Sequence, residues 1–121
     1  MASVLVIDAR PSRAAALRRA LSAGGFAVKT VADPQEAPVG KPFDGIVLVA
    51  KSGDLGVALA QTRHLREEGA PAVVLVTNLD RSGWDRTFGT AEALEVDALF
   101  DLPPDERAVV ARLRGILQAR A

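Results

Sequence analysis

The sequence predicts an α/β protein, a three-layer sandwich in which a five-stranded parallel sheet carries helices on both faces. Three observations lead to this fold class. Five short apolar runs recur along the 121 residues, helical or turn-like segments follow them, and glycines and prolines separate the two kinds of segment. Strands that alternate with helices pair in parallel through right-handed crossovers, which place the helices on both faces of the sheet.

Each predicted strand is a short run of apolar, often β-branched residues, as expected where both faces of a strand are buried. The runs cover residues 4–7, 26–31, 45–50, 72–77 and 98–100. The run at 26–31 alternates only weakly between apolar and polar residues, so this strand is predicted to be more exposed than the others.

Helical spacing of apolar residues predicts the connections between the strands. A helix over 12–23 turns Ala14, Leu17 and Leu21 inward and ends at Gly24-Gly25. The next connection carries several prolines, which leave room for about one helical turn. Further helices are predicted over 54–68 and 87–94, and a last one begins near Asp105. Two arginine stripes are predicted to face solvent: Arg13, Arg18 and Arg19 on the first helix, and Arg107, Arg112 and Arg114 on the last.

The composition argues against several classes of function. Lys plus Arg and Asp plus Glu both number 15, and zero net charge disfavours nucleic-acid binding by bulk electrostatics. No cysteine is present, and the single histidine, His64, cannot form a multi-histidine metal site and is expected on the surface. The apolar runs are far shorter than the roughly 20 residues of a membrane span. We therefore expect a single cytoplasmic domain, 1–121, with no metal and no cofactor.

Several short segments occur in an order and at a spacing that is typical of one family. They are Val4-Leu5-Val6-Ile7-Asp8, Leu17-Arg18-Arg19-Ala20-Leu21, Gly25-Phe26, Pro42-Phe43-Asp44, Leu75-Val76-Thr77, Ala93-Leu94, Val96-Asp97-Ala98 and Leu102-Pro103. On these segments the whole chain resembles the CheY-like receiver domains of bacterial two-component response regulators. The resemblance implies a flavodoxin-like sheet with strand order 2-1-3-4-5, in this chain with a shortened second helix.

Receivers are phosphorylated on an aspartate at the end of the third strand. That reaction needs the carboxylate as nucleophile, further carboxylates for Mg²⁺, and a lysine that neutralises the phosphoryl oxygens. Carried over by position, the acceptor falls on Val49, or on Ala50 if the alignment moves by one residue. The acidic pair after the first strand is Asp8-Ala9, and the lysine is replaced by Leu102. These departures predict a pocket that has lost its phosphorylation chemistry.

Two further positions of this pocket have a structural interpretation. Asp8 is expected to be a strand-end carboxylate that accepts hydrogen bonds from nearby backbone N–H groups. Thr77 stands where the resemblance implies a switch hydroxyl, but it is expected to bond to the turn that follows it. The aromatic residue that usually partners this hydroxyl falls on Leu99. Arg10 and Lys51 add positive charge near the same edge of the sheet.

The leading hypothesis is a non-enzymatic pseudo-receiver that acts as a protein–protein interaction module in two-component-type signalling. Its candidate contact residues are Trp84 and Phe88, in a segment longer than receivers usually have, and Leu99. The alternative for Trp84 and Phe88, which are four residues apart, is that they pack their helix onto the sheet. A signalling protein, a fused effector domain or a second copy of the chain would be the partner, with no nucleic acid and no membrane. Two alternatives stay open. One is phosphorylation of a displaced aspartate, namely Asp44, Asp54 or Asp101; the other is a small molecule in an apolar pocket lined by Val49 and Leu102.

Overall fold

Five strands and three helices make up the computed structural model, which describes residues 1–38, 42–51, 56–57, 60, 62–67, 69–78 and 96–120. The strands are β1 (Ser3–Ile7), β2 (Ala27–Val31), β3 (Gly45–Val49), β4 (Ala72–Thr77) and β5 (Ala98–Asp101). The helices are α1 (Pro11–Ala23), α2 (Arg63–Glu67) and α3 (Glu106–Arg120), and a single 3₁₀ turn covers Pro34–Glu36. The five predicted strands are confirmed, with bounds that differ by one residue at most.

The strands form one parallel sheet in the order β2-β1-β3-β4-β5. Every residue of β3 and β4 is buried, because both strands lie inside the sheet with side chains covered on either face. β2 is an edge strand, and its side chains alternate between exposed and half-buried until Val31. The predicted fold class and strand order are therefore confirmed, and so is the greater exposure of the second strand.

Two apolar cores, one on each face of the sheet, account for the three layers. On one face Leu17 and Leu21 of α1 and Val109 and Leu113 of α3 pack against alternate strand residues such as Val47. We call this the α1/α3 face. On the other face, Leu65 of α2 and the connection after β2 cover the remaining strand residues, including Ile7, Leu48 and Leu75. We call this the α2 face.

The connections follow from local sequence signals. Gly25 has a φ of +95°, a left-handed conformation that glycine adopts at little cost, and it ends α1 as predicted. Asp105 precedes α3 and accepts hydrogen bonds at Oδ1 from the backbone N–H groups of Arg107 and Ala108. The described residues of the proline-rich second connection, 32–38 and 42–44, contain only the 3₁₀ turn at Pro34–Glu36, in agreement with the prediction of about one turn. The predicted helix over 87–94 lies outside the described residues.

Candidate functional site

The carboxyl ends of β1, β3, β4 and β5 meet at one edge of the sheet, which we call the carboxyl edge. The sequence-predicted residues Asp8, Val49 and Thr77 lie there together, as the topology requires. Backbone hydrogen bonds fix the edge: the Asp8 amide donates to the Val31 carbonyl, and the Ala50 amide donates to the Val76 carbonyl, both at 3.0 Å. In parallel sheets this is the edge at which ligand and catalytic sites form.

The most strongly defined interaction at the carboxyl edge joins Asp8 to Arg13. Arg13 Nε donates to Asp8 Oδ2 at 2.6 Å and Nη2 donates to Oδ1 at 2.7 Å, so the guanidinium holds both carboxylate oxygens. The Arg10 backbone amide also donates to Oδ1, at 3.0 Å. The Asp8 side chain is completely buried, whereas that of Arg13 is 24% exposed. This bidentate geometry is the strongest form of carboxylate recognition available to a protein side chain.

The start of α1 explains why Arg13 reaches Asp8. Pro11 stands at the beginning of the helix, where its missing N–H group costs nothing, so the helix begins three residues after Asp8. Arg13 therefore lies in the first turn, beside the end of β1. The hydrogen bond to Asp8 raises the pKa of the Arg13 guanidinium above its ordinary value, with the negative charge of Asp8 acting in the same direction and partial burial opposing it.

The expectation that Arg13 belongs to a solvent-facing stripe is therefore wrong. Arg18 and Arg19 are exposed as predicted, but Arg13 turns towards the end of β1, because a buried carboxylate needs a charged partner. The prediction for Asp8 is confirmed only in part, since one backbone N–H group does bind it but the guanidinium supplies two further hydrogen bonds. An arginine five residues after a strand-end aspartate was the sequence signal for this pair.

The residues at the phosphoacceptor position carry no nucleophilic atom. Val49 is buried and Ala50 is half-buried at the end of β3, and both side chains are hydrocarbon. Leu102, at the lysine position, is half-buried and packs against the α1/α3 face. Thr77 is buried, and its Oγ1 atom has no hydrogen-bond partner among the described residues. The turn that follows Thr77 lies outside the described residues, apart from Asn78, so the predicted bond from Thr77 to that turn stays a prediction.

The other candidate residues are spread over the molecule. Asp44 lies at the amino edge of the sheet, where Oδ2 accepts from the Ser3 backbone amide at 2.8 Å. Asp101 is exposed and accepts at Oδ1 from the Leu102 amide. Leu99 is half-buried against the α2 face. His64 lies within α2, but its side chain is outside the described residues, as are Asp54, Trp84 and Phe88 altogether.

A cavity of about 440 Å³ opens at the carboxyl edge between the ends of β1, β2 and β3. The strand residues in its lining are Ile7, Leu48 and Val49. The charged residues are Arg13, Asp33 and Lys51, and one exposed helical residue, Val57, also lines it. The cavity includes Val49, as the predicted apolar pocket did. Leu102 is not part of its lining, so the second half of this prediction is wrong.

The residues at this edge do not fit the Mg²⁺ ion that the receiver resemblance implies. Both oxygens of Asp8 are held by Arg13, and the neighbouring Ala9 and Val49 have no side-chain oxygen. Magnesium requires several oxygen ligands in near-octahedral geometry. Within the described part of the chain, no three acidic, histidine or cysteine side chains are grouped so that they could hold a metal ion. The described helices also include none long and apolar enough to cross a membrane.

Comparisons with known proteins agree with this architecture. Neither the protein-family models nor the curated protein sequences match this chain. Among solved structures, it is similar to the receiver domain of the Francisella response regulator 1452, with a TM-score of 0.78 and 15% identity over 100% of both chains. It is similar to the beryllofluoride-activated DrrB receiver domain, with a TM-score of 0.77 and 20% identity over 98% of both chains.

A third similar structure is a response regulator receiver protein from Burkholderia phymatum, with a TM-score of 0.75 and 22% identity. That comparison covers 98% of this chain and 96% of the other. Structural similarity over the full length, at identities this low, establishes the shared fold. The chain therefore has the five-stranded fold of response regulator receiver domains.

Proposed function

We propose that this chain is a pseudo-receiver, a module of cytoplasmic two-component-type signalling that binds a protein partner without being phosphorylated and without catalysing a reaction. The observation that carries the proposal is the ion pair between Asp8 and Arg13. The one acidic side chain retained from the first-strand pair is buried, and both of its oxygens are occupied by a guanidinium. A metal ion would have to break that pair before it could be bound.

The acceptor position supports the same proposal. Val49 and Ala50 provide only hydrocarbon at the end of β3, so no covalent bond to phosphorus can form there. Of the displaced aspartates, Asp44 lies at the opposite edge of the sheet and is engaged by Ser3. Asp101 lies at the correct edge but is followed by Leu102, which offers no positive charge to a phosphoryl group.

The intact framework is the reason for proposing a binding role. All five strands and both buried faces of the sheet are maintained although the chemistry of the carboxyl edge is not. A domain that catalyses no reaction acts by binding other molecules at its surface. The proposed contact residues are Leu99, Trp84 and Phe88. Leu99 is half-buried on the α2 face, which leaves part of its side chain available to a partner.

The test of this proposal is an amide NMR comparison of the protein alone and with Mg²⁺ plus beryllofluoride, which mimics aspartyl phosphate. We expect the amides of Asp8, Ala50, Thr77 and Leu102 to keep their positions. Intact-mass analysis after treatment with acetyl phosphate should likewise show the unmodified mass. A stable gain of one phosphoryl group would overturn the proposal and would require a displaced acceptor aspartate.

The interaction role needs its own measurement. A signalling protein that binds the domain stoichiometrically should bind equally well in the presence of EDTA, because neither metal nor phosphate takes part. Trp84→Ala and Phe88→Ala should weaken that binding, whereas Arg112→Ala, on the exposed side of α3, should leave it unchanged. Binding that appears only after addition of Mg²⁺ and a phosphodonor would contradict the proposal.

A further inference from the structure

The cavity at the carboxyl edge lies where the strand order of the sheet reverses, and we call it the switch-point cavity. The strand order reverses between β1 and β3, since the chain passes from β1 outward to β2 and then back across to β3. Connections on either side of such a point run to opposite faces and leave a crevice between them. The cavity volume of about 440 Å³ falls within the range of roughly 300–1,000 Å³ that is usual for small-molecule sites.

The short second connection leaves room for the crevice on the α2 face. Between β2 and β3, the described chain contains one 3₁₀ turn, Pro34–Glu36, on the α2 face. A single turn covers less of the sheet than a full helix would. Ile7 and Leu48 are consequently part of both the core of the α2 face and the cavity lining.

Part of the cavity lining is apolar. Ile7 and Leu48 are almost fully buried, whereas Ala9 and Ala32 are exposed. At the mouth, Val57 is 61% exposed, and it is one of only two large apolar side chains with such exposure in the described part of the chain. A ligand with an apolar body would remove this surface from water, which is favourable in proportion to the area covered.

The rim carries two cationic side chains, Arg13 and Lys51, and one carboxylate, Asp33. Arg13 uses Nε and Nη2 for Asp8, and its Nη1 group has no hydrogen-bond partner among the described residues. Asp8 offsets the charge of Arg13 from behind, outside the lining. Lys51 is exposed, and within the described ranges no carboxylate pairs with it. The acidic side chain of the rim, Asp33, is already engaged, because its Oδ1 accepts from the Gln35 amide and caps the 3₁₀ turn.

We propose that the switch-point cavity binds a small organic anion with an apolar body, whose negative group meets Lys51 and Nη1 of Arg13 while its body lies against Ala9, Ala32 and Val57. A guanidinium held in place by a buried carboxylate is already oriented before the ligand arrives, so little side-chain freedom is lost on binding. The inference does not rest on the proposed function, since such a ligand would fit the cavity whether or not a displaced aspartate is phosphorylated.

A matched pair of probes tests the charge and the apolar body separately. 2-Naphthoate carries a carboxylate on an apolar ring system, and 2-naphthamide has the same ring system without the charge. In amide NMR titrations, we expect 2-naphthoate to shift Ala9, Ala50 and Lys51 saturably, with half-saturation at about 1 mM or below. The neutral amide should require a concentration about two- to fivefold higher, the value of one exposed ion pair.

Lys51 provides the decisive variant, and Lys29 provides its control. Both side chains are exposed, but Lys29 lies on the edge strand β2 outside the cavity lining. Lys51→Glu should weaken 2-naphthoate binding at least about fivefold and leave 2-naphthamide binding unchanged, whereas Lys29→Glu should change neither. The proposal is overturned if 2-naphthoate produces no saturable shifts at these amides, or if Lys51→Glu and Lys29→Glu weaken its binding equally.

Discussion

At the scale of single residues, the negative charge of Asp8 is balanced by Arg13, a side chain of the protein itself. A receiver needs a metal ion to compensate the carboxylates at its carboxyl edge, whereas here the guanidinium of Arg13 compensates the one that remains. Asp8 can therefore be completely buried without a cation from solution. The carboxyl edge therefore needs no metal ion to balance the charge of Asp8.

Removal of Arg13 tests the strength of this pair. Arg13→Ala leaves the buried Asp8 carboxylate with one backbone hydrogen bond. We expect a loss of about 2–3 kcal/mol in the free energy of unfolding, below the roughly 3–5 kcal/mol typical of a fully buried pair because water reaches the Arg13 site. Urea denaturation measures it, with Arg18→Ala, an exposed arginine of the same helix, as a control that should change stability by less than about 0.5 kcal/mol.

The pH dependence of this loss follows from the direction of the Arg13 pKa shift. The folded state raises the pKa of Arg13 above its unfolded value, so the pair's contribution is fully present below the unfolded pKa and is lost only as pH rises through the folded-state pKa. The stability difference between the wild-type protein and Arg13→Ala should therefore show no fall from about pH 6 to about pH 9. If this stability difference falls steadily over that range, a titrating group other than Arg13 is responsible for it.

At the scale of secondary-structure elements, the contact between the end of α1 and α3 determines how the two helices cover one face of the sheet. Gly24 lies between them, and a Cβ atom placed on it would come within 2.7 Å of Val110 Cγ1. The Arg114 guanidinium also donates to the Gly24 carbonyl, at 2.7 Å. One turn further along α3, Gly115 is exposed, and no described atom outside its chain neighbours and its own helix backbone lies within 4 Å of the corresponding position.

These two glycines should respond to alanine with opposite signs. Gly115→Ala should raise the free energy of unfolding by about 0.5–1 kcal/mol, because alanine has the higher helix propensity and nothing obstructs its methyl group. Gly24→Ala should lower it by about 1–2 kcal/mol, because the two helices must move apart. Thermal and urea unfolding measure both changes. A loss of stability in Gly115→Ala would show that this side of α3 is covered by another part of the chain.

The elements also show what the sequence can and cannot predict. The strands were predictable because their residues are buried on both faces, and a continuous apolar run between turn residues records that burial directly. The direction of Arg13 was not, because helical periodicity assigns it to the outer side of α1 and takes no account of a carboxylate on the preceding strand. The cavity was predicted on the correct strand end but with Leu102 in place of the β2 end, since the width of a crevice depends on how a connection folds.

At the scale of the whole molecule, the proposed pseudo-receiver separates the fold from the phosphorylation reaction. The fold is shared with receiver domains, whereas the acceptor, metal-ligand and lysine positions carry Val49, Ala9 and Leu102. Differences at several positions have a physical consequence. No single substitution should return the reaction, because nucleophile, metal ligands and neutralising cation all act on the same phosphoryl group.

This dependence can be tested by restoring the positions. Val49→Asp alone supplies a nucleophile, but Asp8 stays paired with Arg13 and no cation stands at Leu102, so treatment with acetyl phosphate should leave its intact mass unchanged. Combining Val49→Asp with Ala9→Asp, Leu102→Lys and Arg13→Ala frees Asp8, adds a second metal ligand and supplies the cation. We expect this variant to gain one phosphoryl group in the presence of Mg²⁺ and to lose the gain with EDTA. Phosphorylation of Val49→Asp by itself would contradict the interpretation, because the pair of Asp8 and Arg13 would then be no barrier to metal binding.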